Sequence, residues 1–290
     1  MDQKELLKKV RKLEIKSRGL SAQLFSGQYH SAFKGRGMSF SEVREYQPGD
    51  DIRTIDWNVS ARLNHPYVKV FEEERELTIM LLVDVSGSKD FGTVGQFKVE
   101  LVTEVCAVLA FSAMQNNDKI GVIFFSDKIE KYVPPKKGKS HVLRIIRELI
   151  DFKPEHSGTD VGQALKFLTN VIRKRCTAFV LSDFYSKDYE NSLKLANKKH
   201  DIVALKVSDP REHSLPDVGL MKIKDAETSE TFWVDSSDKA LRKSYEIQAK
   251  KHEEQTKTIF SRAGVDVASL QTDRSYIQPL SNLFKRRGAK

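Results

Sequence analysis

Three oxygen-bearing side chains follow the most apolar stretch of this chain. Residues 77–83 are almost entirely apolar, and Asp84, Ser86 and Ser88 come directly after them at alternate positions. The continuous apolar run predicts a strand buried on both faces, as in a parallel sheet covered by helices. The three oxygens can then converge beyond the strand end, where open α/β sheets bind ligands. A simple turn built from Asp and Ser is the alternative interpretation.

Two later loops offer further oxygens at the same predicted edge of the sheet. Thr159 precedes a predicted helix, and Asp183 follows a second apolar strand at residues 177–181. In a doubly wound sheet such loops can meet at the point where the strand order reverses. Each residue also has a structural explanation, because Thr159 and Asp160 would suit a helix N-cap and Asp183 would cap a turn.

The combined set contains two carboxylates and three hydroxyls, and it needs no Cys or His. Oxygen ligands of this kind favour Mg²⁺, Mn²⁺ or Ca²⁺ over Zn²⁺. The remaining coordination positions would be filled by water or by a carboxylate from a partner. The sequence therefore predicts a metal site that can bind an acidic side chain, with Asp84, Ser86, Ser88, Thr159 and Asp183 as ligands.

Strands alternate with helices through the part of the chain that must position these residues. The pattern predicts a doubly wound, mainly parallel α/β sheet flanked by helices. The predicted elements are helix 97–114, strand 118–125, an edge strand at 129–133 closed by Pro134 and Pro135, helices 142–150 and 161–173, strand 177–181, helix 193–199, strand 202–207, a hairpin within 215–235, helix 238–262, strand 265–270 and helix 276–286.

The N-terminal part has weaker signals. Residues 4–18 predict a basic amphipathic helix, which either lies on a membrane surface or packs on its own domain; the second is favoured because its apolar face lacks bulky aromatics. Between residues 44 and 62, dense opposite charges predict surface ion pairs. Trp57, Ile52 and their apolar neighbours are expected to anchor this segment, and residues 67–71 alternate as a strand does.

Composition limits the possible classes of protein. The chain has 290 residues, of which 39% are hydrophobic and 31% charged, and the net charge is +9. It contains no apolar run of the roughly 20 residues that span a bilayer and no apolar leader, so we expect a cytoplasmic protein. Cys106 and Cys176 predict buried, inert thiols. The scattered basic residues favour a solvated basic surface over specific nucleic-acid binding.

These motifs resemble two known families. Asp84-x-Ser86-x-Ser88, the loop with Thr159 and the strand end with Asp183 resemble the metal-ion-dependent adhesion site (MIDAS) of the von Willebrand factor A domain. The segment from Arg44 to Arg62, followed by Val68-Lys69 and Glu73-Glu-Arg-Glu76, is similar to the signature of domain-of-unknown-function family 58 (DUF58). One departure is Lys89, where members often carry Met. This cation would weaken metal binding or attract an acidic partner residue.

The resemblance implies a bacterial or archaeal protein-interaction adaptor with a von Willebrand factor A-like fold. Its implied partners are a MoxR-type AAA+ ATPase and a client protein that is assembled or activated. The expected organisation is an N-terminal extension at 1–76 packed on the fold, a von Willebrand factor A-like domain at 77–275 and a C-terminal helix with a basic tail at 276–290. The alternative is a metal-assisted hydrolase. We expect no enzyme, because no nucleophile or general base accompanies the predicted ligands.

Overall fold

The computed structural model describes residues 10–11, 13–17, 19, 38–73, 76–87, 97–224 and 230–288, without the side chains of 38–41, 70–73 and 224. The chain divides into two compact units, Phe33–Leu77 and the remainder. Ser88 and Lys89 lie outside the described residues, as do residues 4–9 of the predicted N-terminal helix.

The smaller unit contains strand β1 (Met38–Glu45) paired antiparallel with β2 (Tyr67–Glu73), a 3₁₀ helix (Ile52–Thr54) and helix α1 (Trp57–Leu63). Asp56 caps α1 by accepting hydrogen bonds from the backbone N–H groups of its second and third residues. The predicted ion pairs are present in part, since Arg44 binds Asp50 through both terminal nitrogens of its guanidinium group.

The expectation that Trp57 and Ile52 would be buried anchors is wrong. Their side chains are 68% and 66% exposed. α1 places Trp57 at its first position, where a polar cap and not an apolar contact fixes the backbone. The ion pairs and the β1–β2 pairing therefore stabilise this unit more than these two side chains do.

The larger unit is built on six strands in the order β10–β7–β6–β3–β4–β5. The strands are β3 (Thr78–Asp84), β4 (Lys119–Phe125), β5 (Ile129–Lys136), β6 (Thr177–Ser182), β7 (Asp201–Ser208) and β10 (Asp266–Gln271), while β8 (Leu220–Lys224) and β9 (Thr231–Asp235) form a separate hairpin. Only β5 runs antiparallel to its neighbour in the six-stranded sheet. The predicted doubly wound, mainly parallel sheet is confirmed.

Helices cover the sheet on both faces. They are α2 (Lys98–Gln115), α3 (Lys139–Asp151), α4 (Val161–Val171), α5 (Glu190–Lys199), α6 (Lys239–Ala263) and α7 (Ile277–Gly288). Met80 and Leu82 of β3 pack in one buried cluster with α4, α5 and α6. On β6, the neighbouring Phe179 instead contacts Phe284 of α7, with ring centroids 6.5 Å apart. Because both faces of the sheet are covered, the sequences of the central strands are continuous apolar runs.

β5 continues through Pro134 and Pro135 to Lys136, so the predicted closure at the prolines is wrong. An edge strand tolerates proline because one row of its N–H groups has no ladder partner.

The C-terminal helix packs on the sheet: its Leu283 is buried, and Arg287 forms ion pairs with Asp201 and Asp266 at the starts of β7 and β10.

The described N-terminal residues are helical and pack on the same unit as the sheet. Val10 and Ser17 are buried. Lys16 Nζ lies 2.7 Å from Glu104 of α2. The expectation that this helix packs on its own domain is confirmed for these residues. Within the described part of the chain, no helix is both long enough and apolar enough to cross a membrane.

Candidate metal centre

Asp84 and Asp183 flank the point where the strand order reverses. The chain runs from β3 to β4 on one side and continues through β6 and β7 on the other. Asp84 ends β3, and Asp183 follows the last residue of β6, the strand paired beside β3. This crevice is where open α/β sheets bind ligands. The sequence predicted that these two strand ends meet at the switch point, and the structure places them on adjacent strands.

Asp84 is buried, and its carboxylate accepts hydrogen bonds from Ser86 and Ser182. It is 9% exposed. One carboxylate oxygen accepts from the backbone N–H of Ser86 at 3.0 Å, and the other accepts from Ser182 Oγ at 2.5 Å. Ser86 is fully buried beside it. The Ser86 side chain also hydrogen-bonds this carboxylate, and because a carboxylate offers about four acceptor sites, Asp84 can still bind a cation.

Ser182 is a site residue that the sequence interpretation did not assign. Its hydroxyl donates to Asp84 and accepts from the backbone N–H of Phe184 at 3.0 Å. Phe184 adopts a left-handed φ of 61° while its ring packs against Phe260 at 4.9 Å. A bulky residue in this region of backbone conformation is strained, and its packing must hold it there. The turn therefore fixes the direction in which Asp183 leaves β6.

Asp183 carries a buried ion pair that the sequence interpretation missed. One of its oxygens accepts from Tyr185 N at 3.2 Å, as expected for a turn cap. The other accepts from Lys98 Nζ at 3.1 Å. Lys98 also pairs with Glu212, and its side chain is only 4% exposed. A lysine at a helix N-terminus is unfavourable for the helix dipole, which was the available signal that Lys98 has a carboxylate partner.

The pKa values of Asp84 and Lys98 are shifted by burial and by the neighbouring charges of the site. Burial, reinforced by the nearby Asp183, raises the pKa of Asp84. Burial alone would lower the pKa of Lys98, but Asp183 and Glu212 outweigh it and the pKa is raised. Lys98 therefore stays charged. Asp84 is left as a buried carboxylate for which ionisation is unfavourable in the absence of a further cation.

The loop that carries Thr159 is tied to the motif loop through the backbone. Gly87 N donates to Ser157 O at 2.9 Å, and Asp160 N donates to Ser126 O at 2.9 Å. Asp160 caps α4 by accepting from Gln163 N, which confirms the expected cap. Thr159 is half-buried between these anchors. Its role as a ligand stays a prediction, as does the role of Ser88.

Glu130 on β5 supports the same loop from outside the crevice. Its carboxylate accepts hydrogen bonds from the backbone N–H groups of Glu155 and His156 and from Ser126 Oγ. His156 itself contacts Glu130 and Lys128, so this loop histidine is engaged with neighbouring side chains. Glu130, Glu155 and His156 lie close enough to share an ion, but these contacts already occupy Glu130 in holding the loop.

Replacing Glu130 with alanine is expected to loosen residues 155–160. The variant loses hydrogen bonds to a charged acceptor, which are worth roughly 1.5–3 kcal/mol each. Hydrogen–deuterium exchange of peptides covering this loop should therefore become faster. Glu155→Ala removes an exposed carboxylate from the same loop and should leave exchange nearly unchanged. Equal exchange in Glu130→Ala and the wild type would refute the anchoring role.

The donor set fits a hard divalent cation. Asp84, Ser182, Asp183 and Lys98 line one cavity whose other walls are mostly apolar. The side chains that could act as ligands offer oxygen only, which suits Mg²⁺, Mn²⁺ or Ca²⁺. When bound, such an ion supplies positive charge and an open coordination position. Asp84 and Asp183 would hold it, together with Ser86 and the predicted Ser88 and Thr159.

Comparison with known proteins agrees with this architecture. The profile of the family described as "Protein of unknown function DUF58" matches residues 42–255. The chain belongs to the DUF58 family. One relative of this DUF58 protein is the "Uncharacterized protein Rv1480" of Mycobacterium tuberculosis, which is 31% identical over 294 residues that cover 100% of this chain and 92% of the relative.

Two further matches place this DUF58 protein among known sequences and structures. The "Uncharacterized protein MAV169" of Mycobacterium avium is 29% identical over 54% of this chain and 95% of its own length. The crystal structure of an aerotolerance-related membrane protein from Bacteroides fragilis superposes with a TM-score of 0.50 and 15% identity, covering 72% of this chain and 99% of that one. The second match, at 15% identity, concerns the fold alone.

Proposed function

We propose that this DUF58 protein is an adaptor that binds other proteins through a divalent cation held between Asp84 and Asp183. The observation that carries the proposal is the pair of buried carboxylates on either side of the strand-order reversal, lining one cavity. A buried carboxylate pair with incomplete charge compensation favours cation binding. The cation would be Mg²⁺, with Mn²⁺ or Ca²⁺ as alternatives.

An acidic side chain of a partner would complete the coordination of this cation. Such a contact is directional, because the ligand oxygen must reach an open coordination position. It is also lost on chelation. The net charge of +9 would speed encounter with an acidic surface and make the association sensitive to salt.

We assign the partner, from the family resemblance, to a MoxR-type AAA+ ATPase, with a client protein that the pair assembles or activates. The adaptor would act in the cytoplasm. Peripheral contact of the basic surface with an anionic membrane is compatible with this role, whereas specific nucleic-acid recognition is not part of it.

Binding of the purified ATPase should depend on both the metal and Asp84. In Mg²⁺ the wild-type protein should bind, and EDTA or Asp84→Asn should weaken the affinity by about tenfold or more, which corresponds to about 1.4 kcal/mol or more. Surface plasmon resonance measures the affinity in Mg²⁺ and in EDTA for both proteins. Repeating it at two salt concentrations measures the salt sensitivity of the association. Asp127→Asn, an exposed change on a neighbouring loop, is the matched control. Unchanged affinity in EDTA would remove the metal from the binding mechanism.

We also propose that the protein has no catalytic turnover of its own. Asp84 and Asp183 are committed to cation binding, and His156 is engaged with Glu130 and Lys128. Generic phosphatase, esterase and nucleotide substrates should give background rates only. A rate that is present in the wild type and absent in Asp183→Ala would instead support a metal-assisted hydrolase.

A further inference from the structure

Lys98 and Glu212 form a buried pair beside the candidate metal centre that the predicted ligand set does not include. Lys98 is the first residue of α2, and Glu212 ends the 3₁₀ helix Pro210–Glu212 after β7. They are far apart in sequence, but Lys98 Nζ reaches both Glu212 and Asp183. The cation centre and this pair therefore share one carboxylate.

Glu212 is held in place independently of Lys98. Its second carboxylate oxygen accepts from Asp209 N at 3.0 Å, which completes a capping box. Asp209 is itself fully buried and accepts a hydrogen bond from Thr272 Oγ1 at 2.6 Å. The position of Glu212 next to Lys98 is thus set by the turn after β7, so its carboxylate is a fixed part of the site.

The charges of this cluster balance in a way that suits a divalent ion. When all are ionised, the carboxylates of Asp84, Asp183 and Glu212 and the ammonium of Lys98 leave a net charge of minus two. If Lys98 were present without Glu212, the net charge would be minus one. The ammonium of Lys98 would then repel a bound divalent ion with no nearby Glu212 carboxylate to offset it. Glu212 without Lys98 would leave minus three.

We infer that Lys98 and Glu212 are positioning residues that set the net charge and the orientation of Asp183 for divalent-cation binding. This inference rests on the proposed function, since it assumes that the centre binds a cation. Lys98 orients Asp183 and limits how strongly the centre attracts the ion. Glu212 offsets the repulsion between Lys98 and that ion.

Mn²⁺ titration of four proteins, followed by the electron paramagnetic resonance signal of the free ion, tests the inference. Relative to the wild type, Glu212→Gln should weaken Mn²⁺ binding by roughly tenfold or more, and Lys98→Met should strengthen it by a similar factor. The double variant restores the net charge of minus two, and its affinity should lie within about threefold of the wild type. Circular dichroism checks that each variant is folded.

The pair Lys131 and Glu148 gives a matched control. These residues form an ion pair of the same type between β5 and α3, outside the centre. Lys131→Met, Glu148→Gln and their double variant should leave Mn²⁺ affinity unchanged, which separates a local effect from a change in total charge.

The outcomes distinguish this inference from the proposed function. Opposite changes in the two single variants, with recovery in the double variant, support it. If the wild type binds Mn²⁺ but both single variants weaken binding, or neither changes it, Lys98 and Glu212 have a structural role only and the inference is overturned. A wild type that does not bind Mn²⁺ overturns the proposed function, and the inference fails with it.

Discussion

Replacing Asp84 with asparagine should make the metal-free protein more stable at neutral and higher pH. The wild-type carboxylate is buried beside Asp183, and burial followed by that repulsion raises its pKa to about 7. Asparagine keeps the shape and can still accept from Ser86 N and donate to Ser182 Oγ. Each pKa unit corresponds to about 1.4 kcal/mol, so we expect a gain of roughly 1–3 kcal/mol in unfolding free energy.

The gain should depend on pH in a defined direction. Below the ordinary aspartate pKa of about 3.9, Asp84 is protonated in both the folded and unfolded states and costs nothing. As pH rises towards about 7, the unfolded state ionises freely and the folded state does not, so wild-type stability falls. Above that pH the full difference between wild type and Asp84→Asn should be present.

Urea denaturation in EDTA at about pH 8 and about pH 4.5 measures this difference. The gap between the two proteins should be large at the higher pH and small at the lower one. Asp127→Asn, which changes an exposed carboxylate, should follow the wild type at both. An Asp84→Asn protein that is less stable at both pH values would show that the carboxylate contributes favourable contacts and not strain.

Magnesium should stabilise the wild type and leave Asp84→Asn nearly unchanged. A ligand that binds only the folded state stabilises it by about 2.7 kcal/mol at a concentration of a hundred times its dissociation constant. For a domain of this size that is a rise of roughly 5–10 °C in the melting temperature. The wild type should show this rise in Mg²⁺, whereas Asp84→Asn should show almost none, because it lacks one of the two carboxylates.

Differential scanning calorimetry with added Mg²⁺, followed by excess EDTA, gives the comparison in one experiment. EDTA should return the wild type to its original melting temperature. Potassium chloride at matched ionic strength controls for general screening. The same rise in both proteins would show that Mg²⁺ acts elsewhere on the molecule.

The sequence predicted the parts of the centre that follow directly from strand pattern. β3 and β6 are buried on both faces, and this gives uninterrupted apolar runs that end in Asp84 and Ser182-Asp183. Parallel strands present their carboxyl ends at one edge, so two strand ends were enough to bring the two aspartates together. The N-cap at Asp160 follows from local chemistry in the same way.

Other features depend on tertiary contacts that no local pattern contains. Lys98 and Glu212 meet only because α2 and the turn after β7 lie at the same edge of the sheet. β1 escaped the sequence interpretation because a register shift between Phe40 and Glu42 interrupts its alternation. Ser182 looked like the last polar residue of a strand, and its hydrogen bond to Asp84 comes from the adjacent strand.

Calorimetric titration of Mg²⁺ into the wild type, Asp84→Asn and Asp183→Asn tests the central claim most directly. We expect the wild type to bind about one ion per chain, because both carboxylates line the same cavity. Each variant should lose most or all of the binding heat while remaining folded by circular dichroism. Equal heats in all three proteins at saturating Mg²⁺ would contradict the assignment of Asp84 and Asp183 as the cation-binding residues.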